Sequence, residues 1–161
     1  MALSVAITTR LQYQHESIQE LIAGLSEKEL KLRIQPDKWS AFEQIVHLTA
    51  YQPIFLERLY KIVQEDSPGF ERYVADHDAA FHEALQKPLT ALLEELSAQR
   101  LIICKYVTNL PDEALQRTGR HAKYGLLTIP EWTEFFLLHE AHHLYHLFML
   151  TRELRLLTTV K

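Results

Sequence analysis

Apolar side chains recur three and four positions apart along most of this chain, the spacing that places them on one face of an α-helix. Four long segments have this pattern, and glycine, proline or helix-capping residues border them. They predict helices over residues 3–22, 40–64, 88–109 and 128–152. Four such helices with modest connections are the elements of a four-helix bundle. The pattern therefore predicts an all-α fold in a single domain over residues 1–161.

Capping sequences predict where these helices begin. Ser40 and Glu43 have the spacing of a capping box, in which the hydroxyl and the carboxylate each accept a bond from a backbone N–H group. Residues 26–29 repeat that spacing after Gly24, which is a natural stop for the first helix. Residues 128–131 combine an N-cap threonine, a first-turn proline and a capping-box glutamate, and they form the strongest start signal in the chain.

Other segments interrupt the helical pattern. Pro53 lies inside the second predicted helix and predicts a kink or a local break near Ala50. The cluster at residues 66–69 predicts a loop, and the stretch that follows, up to Gln86, has no clear assignment. Residues 112–127 are mixed and polar, so they predict a short irregular excursion before the last helix.

Composition narrows the class of protein. Of 161 residues, 47% are hydrophobic and 24% charged, which is typical of one compact domain. The formal charge is -4 and no basic run contains interleaved aromatic residues, so no nucleic acid partner is expected. There is no basic leader before an apolar run and no apolar stretch of about 18 residues, so we expect a cytoplasmic protein without membrane contact. A single cysteine, Cys104, excludes an internal disulfide and a thiolate metal cage.

The last predicted helix carries a cluster of histidines. They are His139, His142, His143 and His146. At about 100° per residue all four fall on one face, which they share with Trp132 and Phe136, so this face points into the bundle. Histidines four residues apart present nitrogens that one divalent metal can bridge. Two pairs have this spacing, and the simpler alternative is that they are hydrogen-bonded histidines of the core or of the surface.

A third metal ligand must come from another helix, and His47 on the second predicted helix is the candidate. Glu43 lies one turn earlier on the same face, where its carboxylate can accept a hydrogen bond from an imidazole or act as a base, besides its role in the capping box. Three imidazoles without a thiolate leave coordination positions open, as in catalytic sites. Zinc, nickel, iron and manganese all fit such a site.

Two motifs make the chain resemble a known family. Residues 37–48 read DKWSAFEQIVHL and resemble the Trp-Ser, Glu, His-Leu signature on the second helix of the DinB-like (YfiT-like) metalloenzyme superfamily. Residues 139–143 read HEAHH and resemble the motif of two histidines, separated by three residues, on its last helix. Residues 24–30 and the pair Gln35-Pro36 fit the family's link between its first two helices, so the resemblance spans nearly the whole chain.

The resemblance implies an up-down-down-up four-helix bundle, often a homodimer, that binds a divalent metal through three histidines. Carried over by position, these are His47, His139 and His143. Relatives include metal-dependent hydrolases and transferases or isomerases that use a low-molecular-weight thiol, so the family implies no single activity. This chain has His146 where many relatives have a glutamine, which makes it a candidate fourth ligand, a group supporting a ligand, or a core residue.

Two hypotheses for the function follow. The first is a metal-dependent hydrolase or thiol S-transferase of a small-molecule substrate, in which Glu43 or His146 moves the proton. The second is a non-catalytic, stress-related binding or dimerisation module. A dimer face would use the apolar residues of the first helix, Leu3, Val5, Ile7 and Leu11. An open pocket at the three histidines favours the enzyme, whereas closure by Trp132 and Phe136 favours the module.

Overall fold

The chain folds into a helical bundle with one small sheet, and the computed structural model describes residues 3–159. The helices are α1 (Val5–Tyr13), α2 (Ser17–Ile22), α3 (Glu27–Leu30), α4 (Ala41–Gln64), α5 (Ala79–Ala84), α6 (Leu89–Thr108), α7 (Asp112–Leu115) and α8 (Ile129–Thr159). The strands are β1 (Gly69–Phe70), β2 (Thr118–His121) and β3 (Gly125–Thr128). A turn of 3-10 helix, Gln14–Glu16, joins α1 to α2 into one arm, and a second such turn spans Ala75–His77.

Contacts between side chains give the directions of the four long segments. The arm of α1 and α2 runs parallel to α8, because Arg10 contacts Glu134 early in both segments and Arg155 donates to the carbonyl of Leu21 late in both. Helix α4 runs parallel to α6, because contacts between them also follow the same order along both helices. These contacts are Thr49 with Leu92 and Gln52 with Arg100.

Helices α4 and α8 are antiparallel, because Gln44 contacts His143 whereas Phe55, later in α4, stacks on Phe136, earlier in α8. The bundle is therefore up-down-down-up, as the resemblance implies. Because α4 and α6 are parallel, residues 65–88 must return along the bundle before α6 begins. This crossover contains β1 and α5.

The first half of α4 is the most enclosed part of the bundle. All twelve residues from Ala41 to Gln52 are buried. An amphipathic helix at the surface would leave one face to solvent, so this half is surrounded by other elements. It packs against both α6 and α8. His47 lies near the middle of this segment, in surroundings from which water is largely excluded.

A buried ion pair joins α6 to α8 inside the bundle. Arg100 and Glu140 are 1% and 0% exposed, and their side chains form a close ion pair. Arg100 also donates to the side-chain oxygen of Gln52 and the carbonyl of Leu11, and Glu140 accepts from Gln14. Buried charges are tolerated when paired and hydrogen-bonded in this way. The pair therefore ties all four long segments together beside the histidine-bearing turn of α8.

The capping predictions are confirmed. Both arms of the capping box at Ser40 and Glu43 are formed, and so is the box at residues 26–29. Gly24 has a φ of 80°, the left-handed conformation that suits a helix stop. Of the kink or local break predicted near Ala50, the break is absent, since α4 is continuous through Pro53. This proline is exposed, so its ring lies on the outer side of the helix and only one backbone donor is lost.

The small sheet is a feature that the sequence pattern did not predict. Strands β2 and β3 form an antiparallel hairpin within the segment predicted to be irregular, and β1 pairs in parallel with β2. Gly119 lets the hairpin approach α4 closely, because a Cβ there would lie 2.7 Å from the Ile62 side chain. The indole N–H of Trp132 donates to the carbonyl of Gly119 and fixes the sheet on α8.

The apolar residues proposed for a dimer face on the first helix differ in exposure. Leu11 is fully buried, because it packs in the core where α6 and α8 enclose α1. It is therefore not part of a free surface. Leu3 and Ile7 are half-buried, whereas Val5 is exposed. Within residues 3–159, no helix has both the length and the apolar character that crossing a membrane requires.

Candidate metal centre

Three histidines from two helices meet inside the bundle. His47 comes from α4, and His139 and His143 come from successive turns of α8. The Nε2 atom of His139 lies 3.1 Å from Nε2 of His47 and 3.1 Å from Nε2 of His143. Within residues 3–159, they are the one group of three or more His, Cys, Asp or Glu side chains whose ligand atoms lie within 4.8 Å of one another.

The spacing of these nitrogens matches a shared metal ion. Two nitrogens bound at about 2.1 Å to one ion lie about 3.0–3.4 Å apart when the angle at the ion is about 90–109°. The 3.1 Å separations fall in this range. A neutral imidazole nitrogen can donate to at most one acceptor, so His139 cannot satisfy both neighbours by hydrogen bonding. A metal ion satisfies all three lone pairs at once, so these residues fit the group that the family resemblance implies.

All three imidazoles are neutral near pH 7. Burial is the main cause, and nearby imidazoles lower each pKa further. The pKa is about 3 for His47, about 4 for His139 and about 2 for His143. Metal ions bind the neutral ring, so the cluster is in the required protonation state over the physiological range. Three neutral ligands also leave the full charge of a divalent ion uncompensated.

Gln44 determines which nitrogen of His143 is free. The Nδ1–H of His143 donates to the Gln44 side-chain oxygen over 2.6 Å, which leaves the lone pair on Nε2, facing the other two histidines. Sequence reasoning missed Gln44 as a functional residue. The sequence does contain an indication of this role, because Gln44 lies three residues before His47 and therefore on the same face of the helix. The contact itself depends on the register between α4 and α8.

Aromatic rings surround the cluster. The Trp39 ring centre is 5.1 Å from that of His47 and 6.1 Å from that of His143. Tyr51 lies 4.9 Å from His139, and Tyr73 lies 5.7 Å from His47, measured between ring centres. These contacts restrict the imidazoles and exclude water, which strengthens electrostatic interactions at the site.

Two cavities reach the cluster. A cleft of about 380 Å³ is bordered by all three histidines, and a second cavity of about 530 Å³ is bordered by His143 and Gln44. Trp132 and Phe136 border neither, because both are buried in the core. The alternative in which these two rings close the site is therefore wrong. A small molecule in the cleft would lie beside an ion held by the three histidines.

The other two residues proposed for catalysis lie elsewhere. The Glu43 carboxylate accepts from the Ser40 backbone N–H and forms an ion pair with Arg33 at the start of α4, and none of the three histidines is within hydrogen-bond distance. These contacts hold the pKa of Glu43 below its usual value, although burial acts in the opposite direction. His142 and His146 are both exposed, so the prediction that all four histidines of the last helix point into the bundle is wrong for this pair. Their Nε2 atoms lie 3.2 Å apart, and His146 borders the second cavity.

A family model of the DinB superfamily matches residues 10–147, which is most of the chain. The chain belongs to the DinB superfamily. The matched segment includes all three histidines of the cluster. No curated protein matched the chain.

A solved structure supports the same fold for this DinB protein. YfiT from Bacillus subtilis is described as a probable metal-dependent hydrolase with an unusual four-helix bundle topology. The two structures superpose with a TM-score of 0.77, over 92% of this chain and 85% of YfiT, at 16% sequence identity. At that identity the likeness establishes a shared fold, and the chemistry must be argued from the side chains.

Proposed function

We propose that this DinB protein is a metal-dependent hydrolase of a small molecule. The observation that carries the proposal is the convergence of three neutral imidazoles, from His47, His139 and His143, on one point beside an open cleft of about 380 Å³. The description of YfiT as a probable metal-dependent hydrolase supports it. A divalent ion held by three imidazoles acts as a Lewis acid and makes water nucleophilic near neutral pH.

The metal in this proposal is zinc, nickel, iron or manganese, since imidazole is a suitable ligand for each. The residues around the ligands have separate tasks. Gln44 holds the His143 ring with Nε2 available. Trp39 and Tyr51 pack against the ligand rings and keep bulk water from their inner side. These contacts fix the ligand rings before the substrate binds. A preorganised site of this kind favours catalysis because its groups need not rearrange during the reaction.

His121 is placed to donate a hydrogen bond into the cleft. Its Nδ1 accepts from the backbone N–H groups of Lys123 and Tyr124, over 3.1 and 3.2 Å, so the neutral ring carries its proton on Nε2. The His121 ring also borders the cleft. We assign it the role of donor to an oxygen of the substrate.

We assign proton transfer to the pair of His142 and His146. His142 borders both cavities, and its Nε2 lies 3.2 Å from that of His146. Both side chains are exposed, so a proton taken up at the cleft can pass to solvent through the pair. Glu43 is less suited to this role, because Arg33 and the helix start already occupy its carboxylate.

The proposal is tested by the metal content and the activity of protein purified without a histidine tag. We expect about one divalent ion per chain, by mass spectrometry, and metal-dependent hydrolysis within a panel of aryl esters and amides. The His139→Ala, His143→Ala double variant should lose both, whereas the exposed His77→Ala control should keep both. A variant His146→Asn should keep the metal and change the pH profile of the rate.

Other outcomes point to the remaining hypotheses. Turnover only when a low-molecular-weight thiol and an electrophile are both supplied would redirect the assignment to thiol transfer. Bound metal without turnover in either assay would favour the non-catalytic module. A protein that neither contains nor takes up zinc or nickel would refute the hydrolase proposal.

We also propose that the protein forms a homodimer, as the family resemblance implies. Exposed apolar side chains along the outer side of α8 support this, namely Leu138, Tyr145 and Leu156. Light scattering of the purified protein tests it, and a monomer at micromolar concentration would contradict it.

A further inference from the structure

Two arginines border the cleft of about 380 Å³ beside the three histidines, in a protein whose overall formal charge is -4. Arg58 and Arg72 both border the cleft, together with His121. Within residues 3–159, neither arginine has a carboxylate within ion-pair distance. Asp76 also borders the cleft without pairing to either of them. The cleft therefore presents guanidinium groups that the fold itself does not neutralise.

Arg58 differs from three arginines of the bundle that are paired with glutamates, in the pairs Arg10–Glu134, Arg33–Glu43 and Arg100–Glu140. Arg58 is half-buried, and it donates only to neutral oxygens, the Tyr51 hydroxyl at 3.1 Å and the Glu71 carbonyl at 2.9 Å. A guanidinium has five N–H donors, so donors of Arg58 remain for a ligand.

The guanidinium of Arg58 is also held in place. Its central carbon lies 5.8 Å from the ring centre of Tyr51, 5.5 Å from that of Phe70 and 5.8 Å from that of Trp132. Such contacts favour a cation over aromatic faces and reduce the entropy that binding would otherwise cost. Tyr51 itself contacts His139, with 4.9 Å between ring centres. The Tyr51 ring therefore lies between the guanidinium of Arg58 and the candidate metal ligand His139.

We propose that Arg58 binds an anionic group of the substrate, so that the substrate of this site is a carboxylate-bearing or phosphate-bearing ester or amide. The inference rests on the proposed function, because it places the bond to be hydrolysed at the three histidines. Arg72, exposed at the cleft, adds attraction for the same charge. The neutrality of the three imidazoles also favours an anionic substrate, because the ligands would leave the charge of a divalent ion uncompensated and the substrate would balance it.

The test uses two probes that differ in charge and little else, N-benzoylglycine and its neutral amide, benzoylglycinamide. Their dissociation constants are measured by calorimetry, for zinc-loaded and for metal-free protein. Charge-assisted hydrogen bonds predict that the acid binds at least about 10-fold more tightly than the amide. Phenyl phosphate is a third probe, and its affinity relative to N-benzoylglycine distinguishes a phosphate from a carboxylate subsite.

The variants separate Arg58 from the metal. Arg58→Gln should remove most of the preference for the acid and keep its zinc content, Arg58→Lys should retain part of the preference, and the exposed Arg152→Gln control should keep all of it. Circular dichroism and the Tm show whether each variant is folded, and the lysine variant preserves the test if the glutamine variant is not.

Two results would overturn the inference. One is wild-type protein that binds acid and amide equally in both metal states. The other is an acid preference that persists in Arg58→Gln when zinc is bound and is absent from metal-free wild type, because the anion would then be bound by the metal. If the protein takes up no zinc, the hydrolase proposal fails, yet the metal-free comparison of wild type and Arg58→Gln still decides the role of Arg58.

Discussion

Replacing Gln44 by leucine should weaken metal binding without unfolding the bundle. The Gln44 oxygen accepts the Nδ1–H of His143 over 2.6 Å, and the Gln44 side chain is 7% exposed. Leucine has a similar volume but no acceptor, so the variant leaves a largely buried N–H group without a partner when Nε2 binds the metal. An unsatisfied buried donor costs about 1–3 kcal/mol, which corresponds to about 5-fold to 150-fold in affinity.

The effect on affinity can be measured by competition for zinc between the protein and a chromophoric chelator at pH 7.5. Loss of a group that orients a metal-bound histidine typically costs about 10-fold to 100-fold, which agrees with the estimate from the hydrogen bond. Gln44→Glu supplies an acceptor again and should restore affinity. Gln64→Leu, on the exposed end of the same helix, is the matched control and should bind zinc as the wild type does.

Equal zinc affinity in Gln44→Leu and wild type would refute this reasoning. It would mean either that Nδ1 of His143 is the metal-binding atom, or that the three imidazoles bind no shared ion. Zinc titration followed through the histidine ring resonances would separate these cases. A merely destabilised variant is recognised by a lower Tm in the metal-free state, which the expected mechanism does not require.

Two further predictions concern stability. Removing one partner of the buried ion pair, as in Glu140→Leu, should lower the free energy of unfolding by about 3–5 kcal/mol in urea, because Arg100 is left charged in the core. The double variant Glu140→Leu, Arg100→Met should recover much of this loss. If the single and the double variant were equally stable, this explanation would be contradicted. Burial, with a smaller contribution from Arg100, lowers the pKa of His15 to about 4. In the metal-free folded protein His15 therefore stays neutral down to about pH 4, whereas in the unfolded chain it binds a proton below about pH 6.5. Because the unfolded state binds more protons in this range, the unfolding free energy should fall as the pH decreases from about 6.5 to 4. His15→Asn should reduce that slope, and an unchanged slope would show that His15 does not contribute.

The helices and the two histidines that α8 gives to the cluster could be predicted because their signals are local. The capping box of Ser40 and Glu43 is complete within four residues, and the face shared by His139 and His143 follows from helical geometry alone. His47 was a candidate from its place on the second helix, but choosing His139 and His143 over the pair His142 and His146 needed the family resemblance, because one sequence does not give the register between two helices. The capping reading of Glu43, considered beside a catalytic one, is the role that the hydrogen bonds show.

The residues that were missed depend on contacts between distant segments. Arg58 reads as an ordinary polar residue of a helix, and only the approach of the crossover and the hairpin places it in a cleft. The sheet was missed because β1 has two residues and β2 reads TGRH, which has no alternation of apolar and polar side chains. Its formation depends on the glycine that fits against Ile62.

The parallel arrangement of α4 and α6 has a consequence for how this protein can evolve. It obliges residues 65–88 to travel back along the bundle, and part of that path, from Arg72 to Asp76, forms one wall of the cleft. The three histidines and Arg58 lie on α4 and α8, whereas Arg72 to Asp76 of the crossover and His121 of the hairpin complete the lining of the cleft. Under the proposed function, helix packing fixes the metal ligands, and part of the surface that contacts the substrate lies on connecting segments. Connecting segments tolerate sequence change better than packed helices do, so exchanging the crossover between relatives is a route to altered selectivity.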